Sequence, residues 1–122
     1  MQRILVVDDE IEICNLLKDF LTSKGYEVYT ALDGQTAITK VKQERPHIVL
    51  LDIMMPGMDG IETLRAIKKV NPKVAVIMVT AIADNELGLR TLELGAYDYI
   101  CKPFELTYLE DVLTVKMIDI LG

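Results

Sequence analysis

The chain has 122 residues, of which 51% are hydrophobic and 26% charged, and this balance is typical of a globular protein, so we expect residues 1–122 to form a single domain. Its formal net charge of −6 at pH 7 argues against direct binding of nucleic acid, because phosphate contacts require clustered Lys and Arg. No apolar run approaches the roughly 20 residues of a membrane span, and the first residues lack a signal-peptide pattern, so we expect a cytoplasmic protein that does not bind membranes.

Five short apolar or β-branched runs alternate with five helical patterns along the chain. This alternation predicts an α/β fold, in which helices cover both faces of a parallel sheet. The predicted strands lie at residues 3–7, 27–31, 47–51, 74–79 and 97–100. We expect the doubly wound strand order 2-1-3-4-5, with the sheet as the middle of three layers.

The helical patterns lie between these strands and after the last one. In the first, one apolar stripe is predicted from Ile13, Leu16, Leu17, Phe20 and Leu21, and Gly25 ends the helix. The second pattern covers residues 35–44, the third follows the N-cap residue Asp59, and the fourth covers residues 84–94. The fifth runs to the end of the chain.

Polar residues follow four of the predicted strands. Asp8 and Asp9 follow the first strand, Asp52 the third, Thr80 the fourth and Lys102 the fifth. In the expected strand order these ends meet at one edge, and the three carboxylates should converge where the order reverses. Oxygen ligands alone select a hard cation such as Mg²⁺ (or Mn²⁺), and the lysine adds a second positive charge. Such a site can direct a phosphoryl group to an aspartate carboxylate.

Four segments together are highly specific: ILVVDDE at 4–10, IVLLDIMMPGMDGIE at 48–62, VIMVTA at 76–81 and GAYDYICKPF at 95–104. With them the chain resembles the response-regulator receiver domain of two-component signalling over nearly its whole length. The resemblance implies a flavodoxin-like (βα)5 sandwich. It also implies a phosphoacceptor in a phosphorelay, with self-phosphorylation and self-dephosphorylation as its only chemistry, and not an enzyme.

The resemblance also assigns roles within the site. Asp52 would be the phosphoacceptor and would share Mg²⁺ with Asp9 and the backbone carbonyl of Met54, while Asp8 would help through a bound water. Lys102 would contact the phosphoryl oxygens. The peptide bond between Lys102 and Pro103 would be cis, a state rare enough that the residues alone do not suggest it.

A switch pair and two contact surfaces follow from the same resemblance. Thr80 would move to the phosphoryl group while the ring of Tyr99 turns inward, and the surface of the fourth helix, fifth strand and fifth helix would change. We define the output face by six residues of that surface: Leu87, Arg90, Glu93, Asp98, Tyr99 and Tyr108. A histidine kinase or phosphotransfer protein would contact the first helix through residues that include Ile11, Cys14, Asn15 and Lys18.

The resemblance also places Met54 and Ile82 beside the site, and neither has a hydrogen-bonding side chain. Since neither can orient an attacking water, we expect slow hydrolysis of the phosphoryl group. Asp8 and Asp9 after the first strand lack the Asp-x-Asp pattern of aspartyl phosphohydrolases, so that class is disfavoured. A flavodoxin-like electron carrier is also disfavoured, because these acids would repel the phosphate of a flavin.

Three questions stay open from the sequence. The receiver could act alone, as a monomer or a phosphorylation-dependent dimer, on an unknown output protein. It could instead be the receiver part of a longer, possibly transcriptional, regulator with a fused effector domain. A receiver-like binding module that works without phosphorylation is the alternative class.

Overall fold

The structure is a computed structural model that describes residues 1–55, 57–81 and 84–121. Strands and helices alternate along the chain, as the sequence predicts. They are β1 (Arg3–Val7), α1 (Ile11–Ser23), β2 (Glu27–Ala31), α2 (Gly34–Glu44), β3 (Ile48–Asp52), α3 (Gly60–Val70), β4 (Ala75–Ala81), α4 (Asn85–Glu93), β5 (Asp98–Lys102) and α5 (Leu106–Leu121). None of the helices in the described ranges is long and apolar enough to cross a membrane.

The five strands form one parallel sheet of order β2-β1-β3-β4-β5, which confirms the predicted fold class and strand order. Successive strand residues point to opposite faces, so each face carries its own apolar cluster. One cluster joins the sheet to α1 and α5 and includes Leu17, Leu109 and Leu113. The other joins it to α2 and α3, with partly buried residues of α4 packed against it.

The predicted element boundaries are accurate to one or two residues. The first two strands match the prediction, whereas β4 continues to Ala81 and β5 to Lys102. Both continue because Thr80 pairs with Cys101 and Ala81 with Lys102 in the parallel ladder. Pairing between strands far apart in sequence therefore sets these ends, and a local apolar pattern does not contain that information.

The predicted apolar stripe of α1 is wrong at Leu16, whose side chain is 51% exposed. The buried residues of this helix are Cys14, Leu17 and Leu21, spaced at i, i+3 and i+7. The buried stripe therefore includes Cys14, a small residue of the core cluster on this face of the sheet. Its thiol donates a hydrogen bond to the carbonyl oxygen of Asp8 at 3.3 Å.

At the opposite edge of the sheet from the strand ends that carry the acids, β1, α2 and β3 are joined by Arg3 and His47. The backbone N–H of Arg3 donates to Nδ1 of His47 at 2.9 Å, and its guanidinium donates to the carbonyl oxygens of Glu44 and Arg45 at the end of α2. Partial burial, followed by the charges of Arg3 and the N-terminal amine, lowers the pKa of His47. The neutral imidazole is thus the form that fits the fold.

We expect His47 to make the fold less stable in mild acid. Because its pKa is lower in the folded than in the unfolded chain, its contribution is complete above about pH 6.5 and is lost as the pH falls toward the folded pKa. Urea unfolding should be compared between about pH 7.5 and about pH 5.5 for wild type and His47→Asn. The Asn side chain can accept the Arg3 N–H without titrating, so the variant should lose less stability over this range. An equal loss in both proteins would contradict the prediction.

Candidate functional site

The three predicted carboxylates meet at the carboxyl ends of β1 and β3. One oxygen of each of Asp8, Asp9 and Asp52 lies within 4.8 Å of the others. Asp8 and Asp52 are only 4% and 8% exposed, whereas Asp9 is open to solvent. Two buried acids and one exposed acid therefore form a cleft that a small ion could enter from the Asp9 side.

Lys102 connects the two buried acids. Its Nζ lies 3.2 Å from Oδ2 of Asp8 and 3.3 Å from Oδ2 of Asp52. The lysine ends β5, two strands away from β3, and is followed by Pro103 across a cis peptide bond, the conformation that the resemblance implies. The sheet thus brings a single ammonium group between carboxylates that are 44 positions apart in the chain.

The backbone fixes the other oxygen of each buried carboxylate. Oδ1 of Asp8 accepts the N–H of Glu10 at 2.9 Å, and Oδ1 of Asp52 accepts the N–H of Met54 at 3.1 Å. Each side chain therefore bonds the backbone two residues ahead and turns its second oxygen to Lys102. Both carboxylates are oriented before any ligand arrives, which is the condition for efficient charge stabilisation.

Burial and neighbouring charge act against each other at this site. Burial raises the pKa of Asp52, although the Lys102 ammonium and the Met54 N–H oppose that shift. Burial alone would lower the pKa of Lys102, but the charges of Asp52 and Asp8 outweigh it and the pKa is raised. Lys102 is therefore a permanent cation, and an additional positive charge would help to keep the Asp52 carboxyl ionised.

The donor set fits a hard divalent cation. It offers carboxylate oxygens without nitrogen or sulfur, the ligand chemistry that suits Mg²⁺ and Mn²⁺. Three carboxylates and one ammonium also leave excess negative charge. The site thus fits the metal that the sequence predicts, and Asp8, Asp9 and Asp52 are the side chains that could hold it.

Gly60 at the start of α3 lies directly against the backbone of the acidic site. A Cβ atom at this position would lie 2.5 Å from both the Asp52 carbonyl oxygen and the Ile53 Cα. The N–H of Gly60 also donates to the Ile53 carbonyl oxygen at 2.9 Å. Gly60 belongs to one of the sequence motifs, but its contact with Asp52 was not predicted, and the only signal for it was its position directly after the N-cap residue Asp59.

Thr80 and Tyr99 lie on neighbouring strands and face the same side of the sheet. Thr80 is 2% exposed, and its pairing partner in β5 is Cys101. Tyr99 is half-buried and packs against the apolar cluster beneath α2, α3 and α4. The two predicted switch residues are therefore two residues apart in the register of the ladder, because Met78 is the residue that pairs with Tyr99.

The output face is partly exposed. Arg90, Glu93 and Tyr108 are open to solvent, whereas Leu87 and Asp98 are half-buried. Asp98 forms an ion pair of 3.2 Å with Lys116 of α5. Two exposed leucines of α4 were not predicted, Leu89 at 55% and Leu92 at 37%, although their spacing of three residues indicates one exposed apolar strip.

The predicted kinase-contact surface of α1 is wrong at Cys14, which is only 1% exposed and belongs to the core. Ile11, Asn15 and Lys18 are exposed, as that contact requires. Beside them, an apolar groove runs from α1 to the segment after β5. Its lining residues are Glu10, Ile13, Leu16, Leu17, Lys102, Pro103, Phe104 and Leu106.

Ile82 lies outside the described residues. Met54 is 70% exposed, and its side chain is therefore available at the margin of the acidic cleft. The slow hydrolysis of the phosphoryl group that is expected from Met54 and Ile82 stays a prediction.

Comparison with known proteins gives a consistent result. The family model for the response regulator receiver domain matches residues 4–114. A relative from Cyanophora paradoxa, named "Probable transcriptional regulator ycf27", is 45% identical over 109 residues. This match covers 89% of the chain and 45% of the relative, so the chain spans less than half the length of that protein.

Solved structures share the same fold. A CheY-like response regulator receiver domain protein from Methanospirillum hungatei JF-1 is 34% identical, with a TM-score of 0.92 over 98% of this chain and 96% of that one. The receiver domain of NtrX from Brucella abortus is 37% identical, with a TM-score of 0.86 over 91% of this chain and 94% of that one. Both likenesses extend over nearly all of each chain.

Proposed function

The chain belongs to the receiver-domain family of two-component response regulators, and we propose that it is a phosphorylation switch with Asp52 as its phosphoacceptor. One observation carries this proposal: Lys102 lies between two buried carboxylates, 3.2 Å from Asp8 and 3.3 Å from Asp52. A cation in this position can contact an incoming phosphoryl oxygen without leaving its acidic partners.

In the proposed reaction, a carboxylate oxygen of Asp52 attacks the phosphorus atom of a phosphohistidine. The new O–P bond forms as the P–N bond breaks, and the leaving imidazole nitrogen keeps the electron pair. The Met54 N–H orients the carboxylate, and Lys102 offsets negative charge on the transferred group. The partly buried site also limits the access of water to the resulting acyl phosphate.

The metal would be held by Asp8, Asp9 and Asp52, with the Met54 carbonyl as a further oxygen ligand. Bound Mg²⁺ would supply positive charge that offsets the repulsion between the carboxylates and the phosphoryl oxygens. The exposure of Asp9 supports this assignment, because it leaves one side of the cleft open for exchange of the ion.

The phosphorylated site would act on the output face through Thr80 and Tyr99. Thr80 is placed near the carboxyl end of β4, so a short movement would bring its hydroxyl toward a group on Asp52. The ring of Tyr99 lies on the same side of the sheet and contacts α4. A charge added at Asp52 can therefore change a surface that an output protein or a fused effector domain contacts.

The phosphodonor would dock on α1 and the groove beside it. The groove is mostly apolar and includes Lys102 itself, so a helix that occupies it would come close to the acidic site. Leu16 lines the groove and is 51% exposed, and Ile11, on the same helix, is 58% exposed, so both offer apolar contacts to a partner. A histidine kinase or phosphotransfer protein that presents its histidine on a helix would fit this surface.

The proposal is tested by intact-mass measurement after incubation with acetyl phosphate. We expect a gain of one phosphoryl group in the presence of Mg²⁺ and none when EDTA replaces the metal. A gain that is equal with EDTA would contradict the metal requirement. No gain under either condition, in protein whose folding is verified by circular dichroism, would favour the binding module that works without phosphorylation.

The proposed site also predicts a long-lived phosphoryl group. Introducing polar groups through Met54→Asn and Ile82→Glu should orient a water molecule, and we expect hydrolysis to become about five- to tenfold faster, because one additional hydrogen bond in the transition state contributes about 1 kcal/mol. The decay of phosphoprotein mass with time measures this rate. Met54→Leu is the matched control and should keep the wild-type lifetime. Equal or slower decay in the double variant would refute the prediction.

The relative from Cyanophora paradoxa supports a proposal about how the receiver is used. That protein is more than twice as long as the matched segment and is named a transcriptional regulator. We therefore favour a role as the receiver part of a longer regulator, in which the net charge of −6 leaves nucleic-acid binding to another domain.

A further inference from the structure

Helix α4 has little apolar side chain of its own buried against the sheet. Its only fully buried residues among those described are Gly88 and Thr91, whereas α5 buries Leu109, Leu113 and Met117. The hydroxyl of Thr91 donates to the Gly88 carbonyl oxygen at 2.6 Å, so its hydrogen bond stays inside the helix. Neither buried residue can hold α4 on the sheet through a large side chain.

The ring of Tyr99 fills the place that a side chain of α4 would otherwise occupy. A Cβ atom at position 88 would lie 2.5 Å from Cδ2, 2.6 Å from Cε2 and 2.8 Å from Cγ of this ring. These distances are far below van der Waals contact, so the ring packs directly on the backbone of α4. Gly88 is thus a notch in the helix, and an aromatic ring from β5 enters it.

Two leucines and one thiol make further contacts between α4 and its surroundings. Leu87 and Leu94 are half-buried at the margin of the apolar cluster. The Cys101 thiol lies 3.5 Å from Oδ1 of Asn85 at the start of α4, on an exposed side of the molecule. A long thiol contact of this kind contributes little, whereas the aromatic ring lies directly against the backbone of α4.

We propose that Tyr99 is the anchor of α4 and that Gly88 is the positioning residue that receives its ring. When the ring leaves the notch, α4 has no side chain at position 88 to fill the space, so a cavity opens beneath it. A cavity left by an aromatic ring is unfavourable in a packed interior, so we expect the helix to loosen or shift. Only the role of this anchor in signalling rests on the proposed function. If phosphorylation of Asp52 moves the Tyr99 ring, the anchor transmits that change to α4.

The anchor is tested on unphosphorylated protein by hydrogen exchange with mass spectrometry. In Tyr99→Ala we expect peptides that cover α4 to exchange at least about tenfold faster than in wild type, while α1 and α5 keep their protection. Gly88→Ala should give the same local increase, because its Cβ excludes the ring. Tyr99→Phe keeps the three contacting ring atoms and should retain wild-type protection. Tyr108→Ala, an exposed residue of α5, is the matched control and should leave α4 unchanged.

Wild-type protection of α4 in Tyr99→Ala would overturn the anchor, as would an equal increase in all helices, since that result would show only a loss of global stability. Gly88→Ala with unchanged α4 exchange would show that the notch does not hold the ring. Because no phosphoryl group is present, these outcomes are independent of the acetyl phosphate experiment. Failure of the anchor and failure of the phosphoacceptor are therefore distinguishable.

Discussion

Asp52→Asn should abolish phosphoryl uptake from acetyl phosphate while the fold is retained. The amide has nearly the same volume and can still accept the Met54 N–H, but it lacks the anionic oxygen that attacks phosphorus. Burial raises the pKa of Asp52, so a neutral side chain at this position should not reduce the free energy of unfolding. Intact mass and urea unfolding measure the two expectations on the same protein.

The matched control for this substitution is Asp8→Asn. Asp8 is as deeply buried and also contacts Lys102, so the change in charge and burial is equivalent. If Asp8 only supports the metal, its variant should take up the phosphoryl group about ten- to a hundredfold more slowly, without losing the reaction. Phosphoryl uptake by Asp52→Asn would contradict Asp52 as the acceptor. A complete loss of uptake in Asp8→Asn but not in Asp52→Asn would assign the acceptor role to Asp8 instead.

Gly60→Ala should damage both stability and phosphoryl uptake. The added methyl group would meet the Asp52 carbonyl oxygen and the Ile53 Cα at 2.5 Å, and both are backbone atoms that cannot rotate away. The start of α3 would have to move, which would weaken its hydrogen bond to the Ile53 carbonyl oxygen. We expect a loss of about 1–3 kcal/mol in the free energy of unfolding, and much slower phosphorylation because Asp52 is displaced.

Gly25→Ala separates a general loss of stability from displacement of the site. Gly25 has a φ of +95° with no atom within 4 Å of its Cβ position, so Ala there strains the backbone alone, at a cost of about 1–2 kcal/mol. This variant should lose comparable stability but phosphorylate at the wild-type rate. If Gly60→Ala also phosphorylates at that rate, the close approach of α3 does not position Asp52.

Local patterns were sufficient to predict most of the fold. The alternation of β-branched runs with helical stripes predicts the element order, and Asp33, Asp59 and Asp84 accept N–H bonds at the starts of α2, α3 and α4. Leu16 shows where this reasoning fails, because Leu16 and Leu17 are both apolar and the sequence does not show that only Leu17 is buried. Which side is buried depends on the packing of Cys14 in the core and on its thiol contact with the Asp8 carbonyl oxygen, which are tertiary contacts.

The site was predictable in its composition but not in its precise contacts. The position of Asp8, Asp9 and Asp52 after two predicted strands indicates a metal site, and the structure brings the three together. The contacts of Gly60 with Asp52, and of Gly88 with Tyr99, involve backbone and side chain from different elements. A glycine carries no side chain whose chemistry could reveal such contacts, so only the packed structure identifies them.

The two apolar clusters on opposite faces of the sheet have a consequence for how this protein can diversify. The proposed donor surface lies on α1, which packs in one cluster, whereas the Tyr99 ring packs in the other. Substitutions on α1 that change recognition of the donor can be accommodated by repacking on one face of the sheet, because the sheet separates this cluster from the other. Donor recognition on α1 and the packing of α4 on Tyr99 can therefore change separately, whereas the part of the output face on α5 shares its apolar cluster with α1.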